Sequence, residues 1–399
     1  PSSAASDVYK RQYLFRAIFM STEEYHKKTI LQVVPALVSG GVERGTLEIA
    51  KKVVESGYKS IVISAGGPLV KILQASGSKH IKLNVATKNP ISIWLNSQKI
   101  AKIIEEEKID IIHARSRAPA WSCFMAAKAT GIKLVTTFHG VYNFHTKIKK
   151  FYNSIMTEGV VVIAVSQFVK EHIIKNYRVD PKKIVLIHRG VDYKEFSKDK
   201  VNEGVLLKYR AKYNVPANTP VILLPARMTE WKGHLVLVEA LSKIKHLNFY
   251  CIMTGDLAKH PLYVQRVASL ISKNKMQHKI QIFGSEPNII NLYGIAEIVV
   301  SASIEPEAFG RTIIEAQSME KLVIATNIGG AAETIENEKT GFHVDPGNSE
   351  QLADKIEYCL SILGTDKAKE IAAAARKSTI ENFSLETMLE KVMSVYKNM

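Results

Sequence analysis

From residue 29 onward, short runs rich in Val and Ile alternate with longer amphipathic segments. No other feature narrows the fold so far. Strands buried on both faces of a parallel sheet read as continuous apolar runs, and parallel neighbours need a crossover of a dozen or more residues between them, usually a helix. The pattern predicts strands at 30–35, 60–64, 81–85, 109–113, 134–138, 160–165 and 184–188, with helices such as 42–56 and 91–107 between them. A polar stretch, 194–218, breaks the rhythm and is expected to contain the linker. A second series follows at 221–225, 249–254, 280–283, 298–301 and 322–325. The expectation is therefore two similar α/β halves, and the length of 399 residues agrees, because single cores stop growing at roughly 250–300 residues. The tail, 366–399, reads as two helices parted near Phe383 and Ser384. Ser384 is a good N-cap and Glu386 lies in the first turn of the second helix, where the helix dipole favours negative charge.

Charge is unevenly spread. Residues 1–200 carry 32 Lys and Arg against 16 Asp and Glu, whereas the rest of the chain balances at 22 of each, so the whole net charge of +16 sits in the first half. That half is expected to meet an anionic partner. The three cysteines, Cys123, Cys251 and Cys359, are far apart and in no ligand spacing, which argues against a disulfide framework or a zinc site and for a reducing compartment. No run approaches the ~18 apolar residues that span a bilayer. Residues 1–19 read as a non-native or disordered leader. The apolar run at 13–20 is short and broken by Arg16, a poor signal-peptide core, and Met20 is the expected start.

Three loops have the residues that hold a diphosphate, which calls for backbone N–H groups at helix N-termini and one or two cations. The first, Ser39-Gly40-Gly41-Val42-Glu43, joins the first strand to a helix. It is neither G-x-G-x-x-G nor a Walker A loop, and an ordinary tight turn would look the same. The second contains Arg227, Lys232 and Gly233 at the exit of the strand 221–225, where parallel sheets bind ligands. The third runs from Ser303 through Glu305, Glu307, Phe309 and Gly310 into a helix that starts near Arg311 and carries Glu315. Amides at Phe309 and Gly310 suit a phosphate, and a carboxylate accepts from two adjacent sugar hydroxyls.

Glu307 and Glu315 form an E-x7-E pattern. With Arg227, Lys232 and Gly40-Gly41, this segment resembles the retaining glycosyltransferases of family 4, of the bacterial lipopolysaccharide or cell-surface glycan type. His139 within 137–140, Ser166, His188-Arg189-Gly190-Val191-Asp192, Gly255-Asp256, Phe283-Gly284, Gly329-Gly330 with Glu333, and Gly341-Phe342 extend the likeness in order over nearly the whole chain. The resemblance implies the GT-B fold, two Rossmann-like domains whose parallel sheets face across a cleft. It places an acceptor domain at 20–200, with the helix 384–399 packing back on it, and a nucleotide-sugar donor domain at 201–383.

The resemblance also implies roles. Arg227 and Lys232 bind the donor diphosphate and stabilise its charge, and Glu307 holds hydroxyls of the donor sugar, with His139 beside it. Glu315 takes the ribose. Gly40, Gly41, Phe309 and Gly310 offer amides, and Phe283 and Gly284 join the nucleotide site. The anomeric configuration is retained, and the leaving phosphate takes the acceptor proton. No DxD pair stands where a metal–diphosphate bridge needs one, so no metal or other cofactor is expected beyond a UDP-sugar or GDP-sugar donor. Ala308, the pair Pro225-Ala226, and His188-Arg189 depart from the usual pattern, and Ala308 bears on donor preference.

The expected activity is a hexosyl transfer to a glycan or lipid-linked acceptor in cell-surface polysaccharide or lipopolysaccharide synthesis. The expected location is the cytoplasm, with peripheral attachment to the anionic inner face of the plasma membrane and no nucleic-acid partner. A nucleotide-sugar epimerase on the same fold and a non-catalytic sugar-nucleotide-binding protein are the alternatives. A dehydrogenase is disfavoured by the missing G-x-G-x-x-G.

Overall fold

The protein is described by a computed structural model covering residues 27–38 and 40–399. The leader 1–19, the apolar run 13–20 and Ser39 lie outside these residues. Thirteen described strands run in two parallel series. The first comprises β1 (Thr29–Val33), β2 (Lys59–Ser64), β3 (Lys79–Lys82), β4 (Ile111–Ala114), β5 (Lys133–Phe138), β6 (Val161–Ala164) and β7 (Ile184–Leu186). The second comprises β8 (Val221–Pro225), β9 (Tyr250–Thr254), β10 (Ile280–Phe283), β11 (Ile298–Ser301), β12 (Leu322–Thr326) and β13 (Phe342–Val344).

Two compact units divide the chain. The first ends at Ala114 and takes in Ala118–Leu134, and the second consists of Arg115–Arg117 with Val135–Met399. In the first unit the strand order is β3-β2-β1-β4. The order reverses beside β1, and the helix Gly41–Glu55 follows that strand.

In the second unit, β5-β6-β7 form one run and β10-β9-β8-β11-β12-β13 another, every registered pair being parallel. Alternation along β8 shows why. Ile222 and Leu224 pack into one apolar cluster and Val221 and Leu223 into another, so each face of the strand is covered. Fully burying such a side chain contributes about 1.5–3 kcal/mol. The second series reverses direction between β8 and β11, whose register pairs Ile298 with Ile222 and Val299 with Leu223. In open α/β sheets the crevice at such a reversal is where ligands bind.

The polar stretch 194–218 carries structure of its own. It holds the helix Glu203–Lys212, capped by the Asn202 side chain, and Lys198 pairs with Glu320 at 2.7 Å. Ser384 caps the helix Leu385–Lys397 through the N–H of Thr387 at 3.2 Å. Val191 is held between the last two helices, donating to Phe383 and accepting from Leu385, each at 2.9 Å. All three cysteines are buried and free of disulfides. Among the described residues, no helix is long and apolar enough to cross a membrane.

Candidate functional site

The loops leaving β8 and β11 lock onto each other before they present any side chain. The N–H of Ile304 donates to the carbonyl of Trp231 at 2.8 Å, and Thr326 at the end of β12 holds the carbonyl of Ser303 at 2.7 Å. Gly233 sits between them with φ 72°, and a Cβ there would lie 1.8 Å from the carbonyl oxygen of Ala302. Only glycine meets both demands. This turn ends a short 3-10 segment, Glu230–Lys232, and starts the helix His234–Lys243.

The turn brings Lys232 and Glu307 together. Lys232 Nζ donates to Glu307 Oε1 at 2.5 Å, with side chains 12% and 11% exposed. Ser303 Oγ donates to the same oxygen. Burial alone would raise the Glu307 carboxyl, but the charge and hydrogen bond of Lys232, the Ser303 hydroxyl and the Arg227 charge outweigh it, so Glu307 lies below the usual carboxylate range. Burial draws Lys232 the other way, down from the usual ammonium range, with Arg227 helping and Glu307 opposing. Trp231 gathers the two cations: its ring centroid is 4.3 Å from Lys232 Nζ and 5.2 Å from Arg227 Cζ. Arg227 itself is exposed.

Glu307 is fixed from the backbone as well. It forms an isolated bridge with Gly329, and the N–H of Gly330 donates to its carbonyl at 2.8 Å. Further along that loop, the Glu333 carboxylate accepts from the N–H groups of Gln167 at 2.8 Å and Phe168 at 2.7 Å, and lies 3.3 Å from His188 Nε2. It thus occupies the N-terminus of the helix Gln167–Tyr177, alongside the Ser166 cap. Burial would raise the Glu333 carboxyl, but His188 and the two amides bring it down.

The other residues of the E-x7-E segment fall into place around Gly310, left-handed at φ 84°, which starts the helix Arg311–Ser318. Phe309 is buried against His188 and Phe383, at ring-centroid distances of 5.8 and 5.6 Å. What this residue can offer a ligand is its backbone. Glu315 has partners of its own. Tyr293 donates to its Oε2 at 3.0 Å, and Arg311 Nε lies 3.6 Å from its Oε1.

Phe283 packs edge-on to Tyr213 at 4.6 Å, and Gly284, whose carbonyl accepts from Thr254 at 2.6 Å, has open space where a Cβ would stand. His139 follows β5, directly after Phe138, whose ring packs on Tyr142 at 5.1 Å. Gly40, at φ 132°, opens the helix that begins at Gly41 in the first unit. Sequence reasoning had not given roles to Trp231, Tyr293 or Arg311. The four-residue helical spacing of Arg311 and Glu315 was a usable signal. Tyr293, 22 positions before Glu315, offered none.

Family models match along both halves of the chain. Residues 39–195 match the model described as Glycosyltransferase Family 4, and residues 207–378 match that of Glycosyl transferases group 1. The crystal structure of a glycosyltransferase from Rickettsia africae ESF-5 is 59% identical, with TM-score 0.89, covering 94% of this chain and 99% of that one. Anabaena HepE, solved in complex with UDP and glucose, shares the fold at TM-score 0.81 and 24% identity, over 93% of this chain and all of that one. N-acetyl-alpha-D-glucosaminyl L-malate synthase of Bacillus anthracis is 23% identical over 374 residues, 91% of this chain and 94% of that protein. With its parallel-sheet, Rossmann-like GT-B architecture and these matches along both halves, the chain belongs to glycosyltransferase family 4.

Proposed function

We propose that this glycosyltransferase moves a hexose, with retention of configuration and without a metal ion, from a UDP-sugar or GDP-sugar to a glycan or lipid-linked acceptor in cell-surface polysaccharide or lipopolysaccharide synthesis. The observation that carries this reading is the buried Lys232–Glu307 pair with Arg227 beside it, at the reversal between β8 and β11. Two cations, the buried Lys232 and the exposed Arg227, supply charge to a diphosphate leaving group, the work a divalent ion does elsewhere. In this reading donor entry exchanges partners. Lys232 turns from Glu307 to the diphosphate, and the freed carboxylate takes sugar hydroxyls.

Glu315 receives the ribose, and His139 lines the donor sugar. Gly40, Gly41, Phe309 and Gly310 supply amides, and Phe283 and Gly284 border the nucleotide. The leaving phosphate accepts the proton of the attacking hydroxyl. Residues 20–200 bind the acceptor and 201–383 the donor. UDP is the first nucleotide to test, because HepE was solved with UDP and glucose.

The basic first half suits work at the anionic inner face of the plasma membrane. Ile148 and Phe151 of the helix Lys147–Ser154 are 83% and 66% exposed among exposed lysines. The experiment is a thermal-shift screen of UDP-sugars and GDP-sugars, followed by turnover of the stabilising donor with and without acceptor extracts. A stabilising donor consumed faster with acceptor, its anomeric configuration kept, supports the proposal. Inversion, or epimerisation without transfer, overturns it.

A further inference from the structure

Arg117 stands outside the machinery assigned above. It opens the helix Arg117–Thr130 just after β4, and its guanidinium is seated before any ligand arrives. Cζ lies 4.2 Å from the centroid of the Tyr142 ring, and Nη1 donates to Oδ1 of the fully buried Asn153 at 2.8 Å. Asn153 closes the seat by donating to the carbonyl of Tyr142 at 3.2 Å. Tyr142 is anchored in turn by the ring of Phe138 at 5.1 Å, the residue just before His139, so the seat adjoins a residue proposed for the transfer site.

A guanidinium has five donors in a rigid fork, and the hydrogen bond to Asn153 uses one. No carboxylate pairs with Arg117 among the described residues. The helix that carries Asn153, KIKKFYNS, has three lysines and no acid, so the local potential is positive. Lys150 reaches the Phe144 ring at 5.2 Å. A stacked, half-buried arginine held in one orientation without a counterion suits a planar, two-pronged grip on a phosphate or carboxylate.

We propose that Arg117, seated on Tyr142 and Asn153, binds an oxyanion carried by the acceptor, either a phosphate or a carboxylate group. The proposal rests on the transferase reading and names the acceptor's chemistry. Its test is equilibrium dialysis of radiolabelled inorganic phosphate at fixed ionic strength, with UDP in excess to occupy the Arg227–Lys232 site. The wild type should retain one phosphate per chain that UDP does not displace. Arg117→Met should weaken this binding by about tenfold or more, as when one charge-assisted hydrogen-bonding group is lost.

Arg117→Lys keeps the charge but loses the fork, and should fall between the two. Should circular dichroism show the Met variant unfolded, the Lys variant carries the test. Malonate that displaces the phosphate assigns the seat to carboxylates as well, and malonate that does not assigns it to phosphate alone. UDP-resistant binding that is absent from the wild type, or equal in the wild type and the folded variants, overturns the proposal. Failure of UDP, and of GDP used in its place, to bind overturns the donor reading instead and leaves the phosphate comparison intact.

Discussion

Lys232 and Glu307 are 75 residues apart in the chain and meet at 2.5 Å, each side chain almost withdrawn from water. A buried ion pair of this kind costs desolvation on both sides, and removing one partner leaves the other charge uncompensated. Such a pair is weak evidence for stability. It holds an ammonium and a carboxylate at the reversal of a parallel sheet, and in the proposed reading the two exchange partners with a diphosphate and a sugar.

Glu307→Ala and Lys232→Ala should therefore each lower kcat by roughly 10²-fold or more, the scale for loss of one preorganised electrostatic group. Both variants should fold with reduced stability. The double variant should lose less stability than the two singles added together, because the second removal relieves an uncompensated charge. Turnover and urea melts on the four proteins make the comparison. Additive losses of stability would show that the pair is not coupled, and wild-type turnover in either single variant would remove that residue from the site.

The two cations also lead to an expectation about metals. If Arg227 and Lys232 carry the diphosphate charge, turnover should persist in excess EDTA and gain little from Mg²⁺ or Mn²⁺. Activity lost to EDTA and restored by either ion would mean that the leaving group needs more charge than these side chains supply.

Gly233 links sequence, turn and site. It takes φ 72° and ψ 23°, and a Cβ there would lie 1.8 Å from the carbonyl oxygen of Ala302. The left-handed conformation alone costs a non-glycine residue about 1–2 kcal/mol. Gly233→Ala should cost more than that, since the loops must also separate, and it should lower kcat by displacing Lys232. Gly284→Ala is the contrast, because nothing lies within 4 Å of its Cβ position. Its stability should stay within about 0.5 kcal/mol of wild type. Denaturant melts of both variants decide the matter, and equal losses would discredit the steric account.

Much of this arrangement was legible in the chain. The βαβ rhythm located twelve of the strands to within a few residues, and those at 221–225, 280–283 and 298–301 match their observed bounds. Strands covered on both faces need uninterrupted apolar runs, and that requirement is local. β13, Phe342–Val344, escaped notice because its short run is interrupted by His343, whereas the equally short β7 lies in the unbroken apolar run 184–187. The polar stretch 194–218 was expected only to contain the linker, and the helix Glu203–Lys212 within it, capped by Asn202, was not read from the sequence. Glu307, Lys232 and Arg227 were singled out as candidates from their strand-exit loops and the family resemblance, whereas the seat of Arg117 was not. Stacking on Tyr142 depends on where two distant loops arrive, and no period in the sequence encodes that.

Glu286 gives the protein a defined acid sensitivity. Burial would raise its carboxyl, but hydrogen bonds from Lys212, Tyr213 and the N–H of Asn288, together with the Lys212 charge, bring it from 4.5 down to about 2. The Lys212 and Tyr213 contacts are each 2.6 Å. A carboxyl depressed in the folded state contributes stability that is fully present above its unfolded value. That contribution is lost as pH falls from about 4.5 toward 2. Glu286→Gln should therefore be less stable than wild type at pH 7, and the gap should shrink below pH 4.5. Urea melts across this range test it, and a gap independent of pH would assign the loss to packing.

The final prediction concerns the helix Lys147–Ser154. Lys147, Lys149 and Lys150 are exposed on it, and Ile148 and Phe151 stand 83% and 66% exposed among them, an uncommon place for large apolar side chains unless another surface covers them. Each lysine near an anionic membrane contributes about 1 kcal/mol, and the two apolar side chains can enter the headgroup region. Binding should be peripheral, and it should weaken with salt as the Debye length falls from about 10 Å at 0.1 M to about 3 Å at 1 M. In co-sedimentation with liposomes, wild type should bind vesicles rich in anionic lipid and leave neutral ones. Lys147→Glu/Lys149→Glu/Lys150→Glu should abolish the preference, while Phe151→Ser should weaken binding without removing its salt dependence. Equal binding to both kinds of vesicle, or none to either, would rule out this surface as a membrane contact and leave the basic helix to the acceptor's own charge.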